Sequence, residues 1–411
     1  MQYRKAHGRD LERLVEIHLA AYPDPRNVEA RERNFTHNPF GGLEHLVVAV
    51  DAGAIVAHAF LFPFQAHFGG APVKVGGIAS VGVAPEARGR GVASALVEHL
   101  HVLSDRRGDA LTMLYAFRHG FYARLGYATT SSRKRLAIDA RAVPASWQAL
   151  ARDRVRGVRS GDDKAIRGLH ARVAERSSGW IARPRRYWEM LLARERRITL
   201  VCERAKQRGK DERGAAGYVA FSLSQSELHA ETILEVEEIV AEDDETRRAL
   251  FGALGAMRDQ VAEIVVEVPE SDPIERALPD ADGRRSGTEG VEHAFGEIVG
   301  GPMVRIEDIP RALAARGYAS DGAFDVVVRS PEEGEVIALG IRVRGGRAEV
   351  GPAQGVRGAL QTTRAGVAAI FYGALPASAA VALGLARADA RLASAIDAIV
   401  RMPPLAPIDA F

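Results

Sequence analysis

The run Arg88-Gly89-Arg90-Gly91-Val92-Ala93-Ser94 has the residue types and spacing of an anion-binding turn. It lies within VGVAPEARGRGVASALVEHL, residues 81–100. There a β-rich run ends at Val83, Pro85 stops the strand, and an amphipathic helix pattern begins around Gly91. Glycines at 89 and 91 let backbone amides approach a ligand closely and adopt positive φ. The first amides of a helix point outward without partners and carry roughly half a positive charge, so a pyrophosphate fits there. The spacing is not that of a Walker loop, because no Gly-Lys-Ser/Thr follows. Nor is it the dinucleotide G-x-G-x-x-G, since Ser94 stands where the third glycine belongs. A plain strand–turn–helix with a basic turn is the competing reading, and the apolar strand before and helix after weigh against it.

The elements that must hold this turn form the first of three regions. Residues 1–140 read as a strand at 3–6, helices at 9–22 and 27–34, and strands at 45–50, 54–64 and 74–83. A helix at 91–104, a strand at 110–116, a short helix to 125 and a last strand at 132–138 follow. Asp51-Ala52-Gly53 between two apolar runs marks a hairpin. Mixed strands around a central helix predict an α/β layered domain. Residues 141–301 repeat that order more loosely, with polar loops at 206–214 and 279–290. Residues 302–411 make a third region, an α+β unit that begins with a strand and helix at 303–317 and finishes in helices at 365–372, 377–385 and 389–399.

A length of 411 residues suits about three domains. A net charge of +2 gives no overall field for nucleic acid or an anionic membrane. The lone cysteine, Cys202, excludes an internal disulfide framework and a cysteine-rich metal site. The N-terminus lacks an apolar signal-peptide core, so a cytoplasmic protein is expected. The uncharged stretch 365–386 is rich in Ala, Gly and Ser and broken by Pro376, which predicts buried helices and no membrane span. Most of the twelve histidines fall in the first 120 residues, among them His58, His67 and His119, and packing or surface roles are expected for them. No histidine pair with a nearby Glu forms a metal pattern, so no metal is expected. Trp180 and Trp188 flank Arg183, Arg185 and Arg186, which reads as a helix with an aromatic core face. Glu235, Glu237 and Glu238 either line a pocket for cations or face water.

The pattern V-x-V-x-P-x-x-R-x-x-G-x-A at residues 81–93 resembles the acetyl-CoA signature of the GNAT N-acetyltransferases. In that family the loop amides hold the CoA pyrophosphate and the preceding strand binds the pantetheine arm. The resemblance implies strand contacts at Val81, Gly82 and Val83, and loop contacts, mainly through backbone, at Arg88, Gly89, Arg90, Gly91, Val92, Ala93 and Ser94. Phe117, at the end of the next strand, should also touch CoA. RHGFYARLGY, residues 118–127, is similar to the family's F-Y-x-x-x-G-F/Y segment, whose first tyrosine, here Tyr122, lies beside the CoA sulfur. A phenol of pKa about 10 can hydrogen-bond a departing thiolate whose conjugate acid is near 8.5 and supply its proton. Tyr127 competes for that role but matches a packing aromatic.

Across the full length, a GNAT domain (1–140), a degenerate GNAT-like domain (141–301) and a region (302–411) opening MVRIEDIPRALAARGY resemble the enhanced intracellular survival (Eis-like) acetyltransferases. Their third domain is similar to sterol carrier proteins. In that family the C-terminal carboxylate, here that of Phe411, enters the active site as general base, and the assembly is a homohexamer. Its carboxylate (~3.5) and a substrate ammonium (~10.4) are mismatched by about 7 units, so the base needs desolvation or a water relay. The middle domain departs from the pattern. After Val240 it carries Glu242, Asp243, Asp244 and Glu245, which would repel a pyrophosphate, and no glycine before Gly252. The expected activity is acetyl transfer from acetyl-CoA to a primary amine of aminoglycoside, polyamine or lysine type. The alternatives are protein or peptide amines alone, or a non-enzymatic protein that binds an apolar ligand.

Overall fold

The alternating apolar residues of the first region form β1 (Gln2–Lys5), β2 (Leu46–Asp51), β3 (Ala54–Phe68), β4 (Ala71–Val83), β5 (Leu111–Leu114) and β6 (Ala128–Thr129). Between them run helices α1 (Leu11–Ala21), α2 (Val28–Thr36), α3 (Val92–Arg107) and α4 (His119–Ala123). The computed structural model describes residues 1–22, 28–193, 196–204, 214–226, 231–278, 295–330, 335–355, 358–373, 375–403, 405, 409 and 411. The chain packs as two units. The first is Met1–Ser131 with Ser177–Tyr187 and Gly301–Phe411, and the second is Ser132–Arg176 with Trp188–Gly300.

In the first unit the strands follow the order β1-β2-β3-β4-β5, then Met303–Ile306, then β6. Neighbours are antiparallel except β4 and β5. The predicted hairpin between β2 and β3 has positive φ at Ala52 and Gly53, the backbone a two-residue turn needs. Along β3, Phe60, Phe62 and Phe64 lie two apart and so share one face. Their rings stack at 4.6 and 5.7 Å. Helix α3 lays Val92, Leu96, Val97 and Leu100 on β3 and β4 and ends at Gly108, whose φ of 83° is a left-handed cap.

Two strands depart from the order read in the sequence. The strand expected to close the first region, Ser132–Asp139, instead pairs with Val261–Pro269 and Gly296–Gly300 in the second unit's sheet. Its place beside β5 is taken by Met303–Ile306, expected to open the third region. Local pattern cannot distinguish the two, because apolar alternation is satisfied equally by either sheet. The second unit is a seven-stranded sheet around a core that includes Leu136, Phe221, Leu250, Phe251 and Ile264.

The C-terminal residues of the first unit add a five-stranded sheet and the helices Arg364–Tyr372, Ala377–Ala382 and Ala390–Val400. The stretch 365–386 thus breaks into two short helices, with Val367, Ile370, Phe371 and Tyr372 buried. No helix of the described residues is long and apolar enough to cross a membrane. Phe62→Ala deletes a fully buried ring and is expected to cost about 3–5 kcal/mol, read as a lower urea midpoint for the first unit.

Candidate active site

The site begins where two parallel strands part. β4 and β5 are in register only at Val75, Gly76 and Gly77, opposite Leu111, Thr112 and Met113. Beyond Gly77 the strands separate and a cleft opens. On its other edge β4 still pairs with β3, but the register slips between His58 and Phe60, leaving Ser80 and Val81 opposite one residue. Ser80 has a φ of 51°, a left-handed conformation that is costly for a non-glycine residue. Such a bulge bends the strand and re-aims its groups. The Val81 carbonyl accepts a hydrogen bond from the Tyr22 hydroxyl at 3.0 Å.

At the end of β4 the chain turns through Pro85–Ala87 into α3. Gly89 and Gly91 have φ of 75° and 77°, so both glycines are required by backbone conformation. A Cβ added at either would meet no atom within 4 Å, so the space above the turn is open. Gly91 caps α3, no side chain caps it, and no acidic residue stands in the first turn. That combination suits an anion such as a pyrophosphate. The arginine side chains are engaged elsewhere. Arg88 donates to the Ala20 carbonyl at 2.9 Å, and Arg90 pairs with Asp51 at 2.8 Å.

A cavity of about 940 Å³ fills this cleft, lined by Val81, Val83, Arg88, Ala93, Phe117 and Tyr122 among the expected residues. Gly82, Gly89, Arg90, Gly91, Val92 and Ser94 are not among its lining residues. Phe117 is 72% exposed, an unusual state for a phenylalanine and one that a ligand would relieve. Tyr22, Arg31, Arg118, Phe121 and Arg124 also line it, and sequence reasoning did not single them out.

The two tyrosines differ in environment. Tyr122, on α4, lines this cavity and a second one, and burial, followed by nearby Tyr22, holds its phenol well above the ordinary value. Tyr127 is buried with its hydroxyl 2.9 Å from Thr112 Oγ1 and 3.0 Å from His101 Nε2. Thr112 in turn donates to Glu307 at 2.6 Å, and burial pushes the Glu307 carboxyl up. Tyr127 is therefore committed to a buried network.

The second cavity, about 480 Å³, adjoins the first at Tyr22, Arg31, Val81, Phe117 and Tyr122. Phe411 lines it, its ring edge-on to Phe64 at 4.8 Å and to Tyr115 at 5.7 Å. The lining also holds Arg31, Arg33, His18, His37, Asn34 and Asn38, and no Asp or Glu among the described residues. Tyr115 donates to the Asp409 carbonyl at 3.1 Å. His58 is fully buried, and burial, then His18, lowers its pKa to about 3, so it is neutral. His119 is exposed on α4.

Two descriptions of an acetyltransferase (GNAT) domain match this chain, one over residues 2–130 and one over residues 179–306. The N-acetyltransferase Eis of Mycobacterium tuberculosis is 26% identical over 334 residues, covering 78% of this chain and 77% of its own length. The chain is an Eis-like GNAT acetyltransferase. Solved structures share the fold. A GCN5-related N-acetyltransferase from Kribbella flavida superposes with a TM-score of 0.80 at 24% identity over 100% of this chain and 98% of that one. Eis1 from Mycobacterium abscessus gives 0.77 at 20% over 100% of both. GNAT acetyltransferases use acetyl-CoA, which accords with the open turn at α3.

The second GNAT unit has a different helix terminus at the matching place. In the helix Asp244–Gly255 the Asp243 side chain itself accepts from the Thr246 amide at 2.7 Å. Glu242 pairs with Arg172 and Arg204, and Glu245 with Arg154. Glu238 is buried against Arg197, whereas Glu235 is exposed. The Trp180–Trp188 stretch is not one helix. Trp180 lies on extended chain, and the helix Arg185–Leu192 starts only after Pro184. Gly91→Glu, which strains the backbone and sets a carboxylate at the anion site, is expected to abolish acetyl-CoA binding in calorimetry. The unaltered chain should show one site.

Proposed function

We propose that the chain transfers an acetyl group from acetyl-CoA to a primary amine in a ternary complex, with Tyr122 as general acid and the Phe411 carboxylate as general base. The observation that carries this reading is that Tyr122 lines both cavities while Phe411 lines the smaller one. Acetyl-CoA would lie in the larger cavity, its pyrophosphate on the amides of Gly89 to Ser94 and its pantetheine along Val81, Gly82 and Val83. The acceptor would enter the smaller cavity. Its nitrogen bonds to the acetyl carbon, the C–S bond breaks with its electron pair on sulfur, and the acceptor's lost proton passes to the Phe411 carboxylate, directly or through water. Tyr122 donates to the departing sulfur.

Because its pKa is raised, Tyr122 stays protonated across the working range and never becomes a competing base. The rate should rise with pH as the acceptor amine and its proton acceptor become competent, with no fall from Tyr122 ionising below about pH 10. A descending limb near pH 8 that vanishes in Tyr122→Phe would contradict this. Tyr122→Phe should lower kcat by about 10²–10³ with acetyl-CoA affinity nearly intact. Tyr127→Phe should instead lower Tm.

Aminoglycosides, polyamines and lysine side chains supply the required amine. Exposed Arg33 in the lining favours the acceptors with fewest charges, so KM should increase with acceptor charge in a thiol-release panel. In this reading residues 1–140 carry catalysis, 141–301 form a scaffold without acetyl-CoA, and 302–411 form a sterol-carrier-like region that delivers the chain end. A cytoplasmic homohexamer is the assembly in keeping with the family, tested by light scattering. A C-terminal extension that keeps Phe411 but removes its free carboxylate should lower kcat by about 10² or more. Phe411→Leu should cost only about 1 kcal/mol in packing.

A further inference from the structure

Two residues before Phe411, Asp409 is held by a buried pair of charges. Arg183 Nε donates to Asp409 Oδ1 at 2.8 Å and Nη2 lies at the same distance, with side-chain exposures of only 2% and 1%. Arg183 sits on the extended segment that precedes Pro184. One edge of that segment runs along the end of β3. The Gly179 amide donates to the His67 carbonyl at 2.8 Å, the Ala182 amide to the Gln65 carbonyl at 2.8 Å, and Ile181 bridges Ala66. The same segment reaches the chain end, where Ser178 bridges Leu405 in parallel. The segment is thus a strap fixed to the catalytic sheet on one side and to the tail on the other.

We infer that Arg183 is a positioning residue for the C-terminal carboxylate, setting through Asp409 how far Phe411 enters the acceptor cavity. This rests on the reading of that carboxylate as proton acceptor. Two residues of extended chain span about 7 Å, so an anchor at Asp409 confines the Phe411 carboxylate to a small region. Apolar contacts of the Phe411 ring with Phe64 and Tyr115 are non-directional and would let the tail slide. A buried ion pair tolerates no such slip, because displacing one partner strands a desolvated charge. The Tyr115 hydroxyl on the Asp409 carbonyl adds a second fixed point. Pairing with Arg183 also neutralises Asp409, so its carboxylate does not draw the acceptor ammonium away from Phe411.

The test measures kcat by thiol release, acetyl-CoA affinity by calorimetry and Tm for Asp409→Asn, Arg183→Met and Arg183→Lys in the full chain. Asp409→Asn keeps the shape and removes the charge. It and Arg183→Met should each lower kcat by about 10²-fold, the scale of a displacement near 1 Å, with acetyl-CoA affinity unchanged. Arg183→Lys should recover part of the loss. A C-terminal extension added to Asp409→Asn should cost little more, because the carboxylate is already misplaced. Should Asp409→Asn keep full kcat while the extension alone abolishes it, the base reading stands and the positioning inference is overturned. Full kcat in the extended chain would overturn both. Loss of kcat only in step with lower Tm and acetyl-CoA affinity would overturn positioning in favour of a purely structural pair.

Discussion

The parting of β4 from β5 is the constraint on which the site depends. Parallel strands that stop pairing leave backbone groups that need other partners, and they leave space. Two glycines stand where pairing ends. A Cβ at Gly76 would fall 2.5 Å from Ser104 Oγ, and one at Gly77 would fall 2.1 Å from the Phe64 ring. Removing both side chains lets α3 and the β3 aromatics close in on one stretch of β4. The next stretch is free to bulge at Ser80 and run along a cleft. Helix α3, the Gly89–Gly91 turn and α4 then stand around that cleft with Tyr122 lining it.

The two GNAT units differ in how the helix at the matching place begins. Helix α3 starts at a left-handed glycine with no acid in its first turn. The corresponding helix of the second unit starts at Asp243, whose carboxylate takes the amide a ligand would use. A glycine cap costs only roughly a few tenths of a kcal/mol against a capping carboxylate, so α3 keeps its first amides open at little loss of stability.

The glycine turn was legible because its geometry is local. Amide exposure, positive φ and helix start all belong to a few consecutive residues, and Gly89 and Gly91 adopt the conformation their type suggested. The tyrosine pair was harder. Tyr122 and Tyr127 are five residues apart and chemically identical, and their surroundings separate them. The partners of the Tyr127 hydroxyl, Thr112 and His101, come from β5 and α3, and the partner of Thr112, Glu307, follows the strand Met303–Ile306. Of the second cavity, Val81, Phe117, Tyr122 and Phe411 were legible and the polar lining was not. Arg31, Arg33, Asn34 and Asn38 sit on or just after a helix whose sequence reads as an ordinary solvated face.

What the sequence by itself determined is most of the elements and the positive-φ turn at Gly89 and Gly91, which follow from spacing within about twenty residues, while the acetyltransferase reading came from the resemblance of that turn to a family signature. Only the tertiary structure decided which sheet each strand joined. Ser132–Asp139 and Met303–Ile306 each join a sheet other than the one their order suggests, since a strand's alternation records that one face is buried and not against what. It also decided that Arg183 and Tyr115 converge on Asp409, two residues before Phe411. Contacts across more than two hundred positions depend on how the whole backbone closes, and no periodicity in the sequence encodes that.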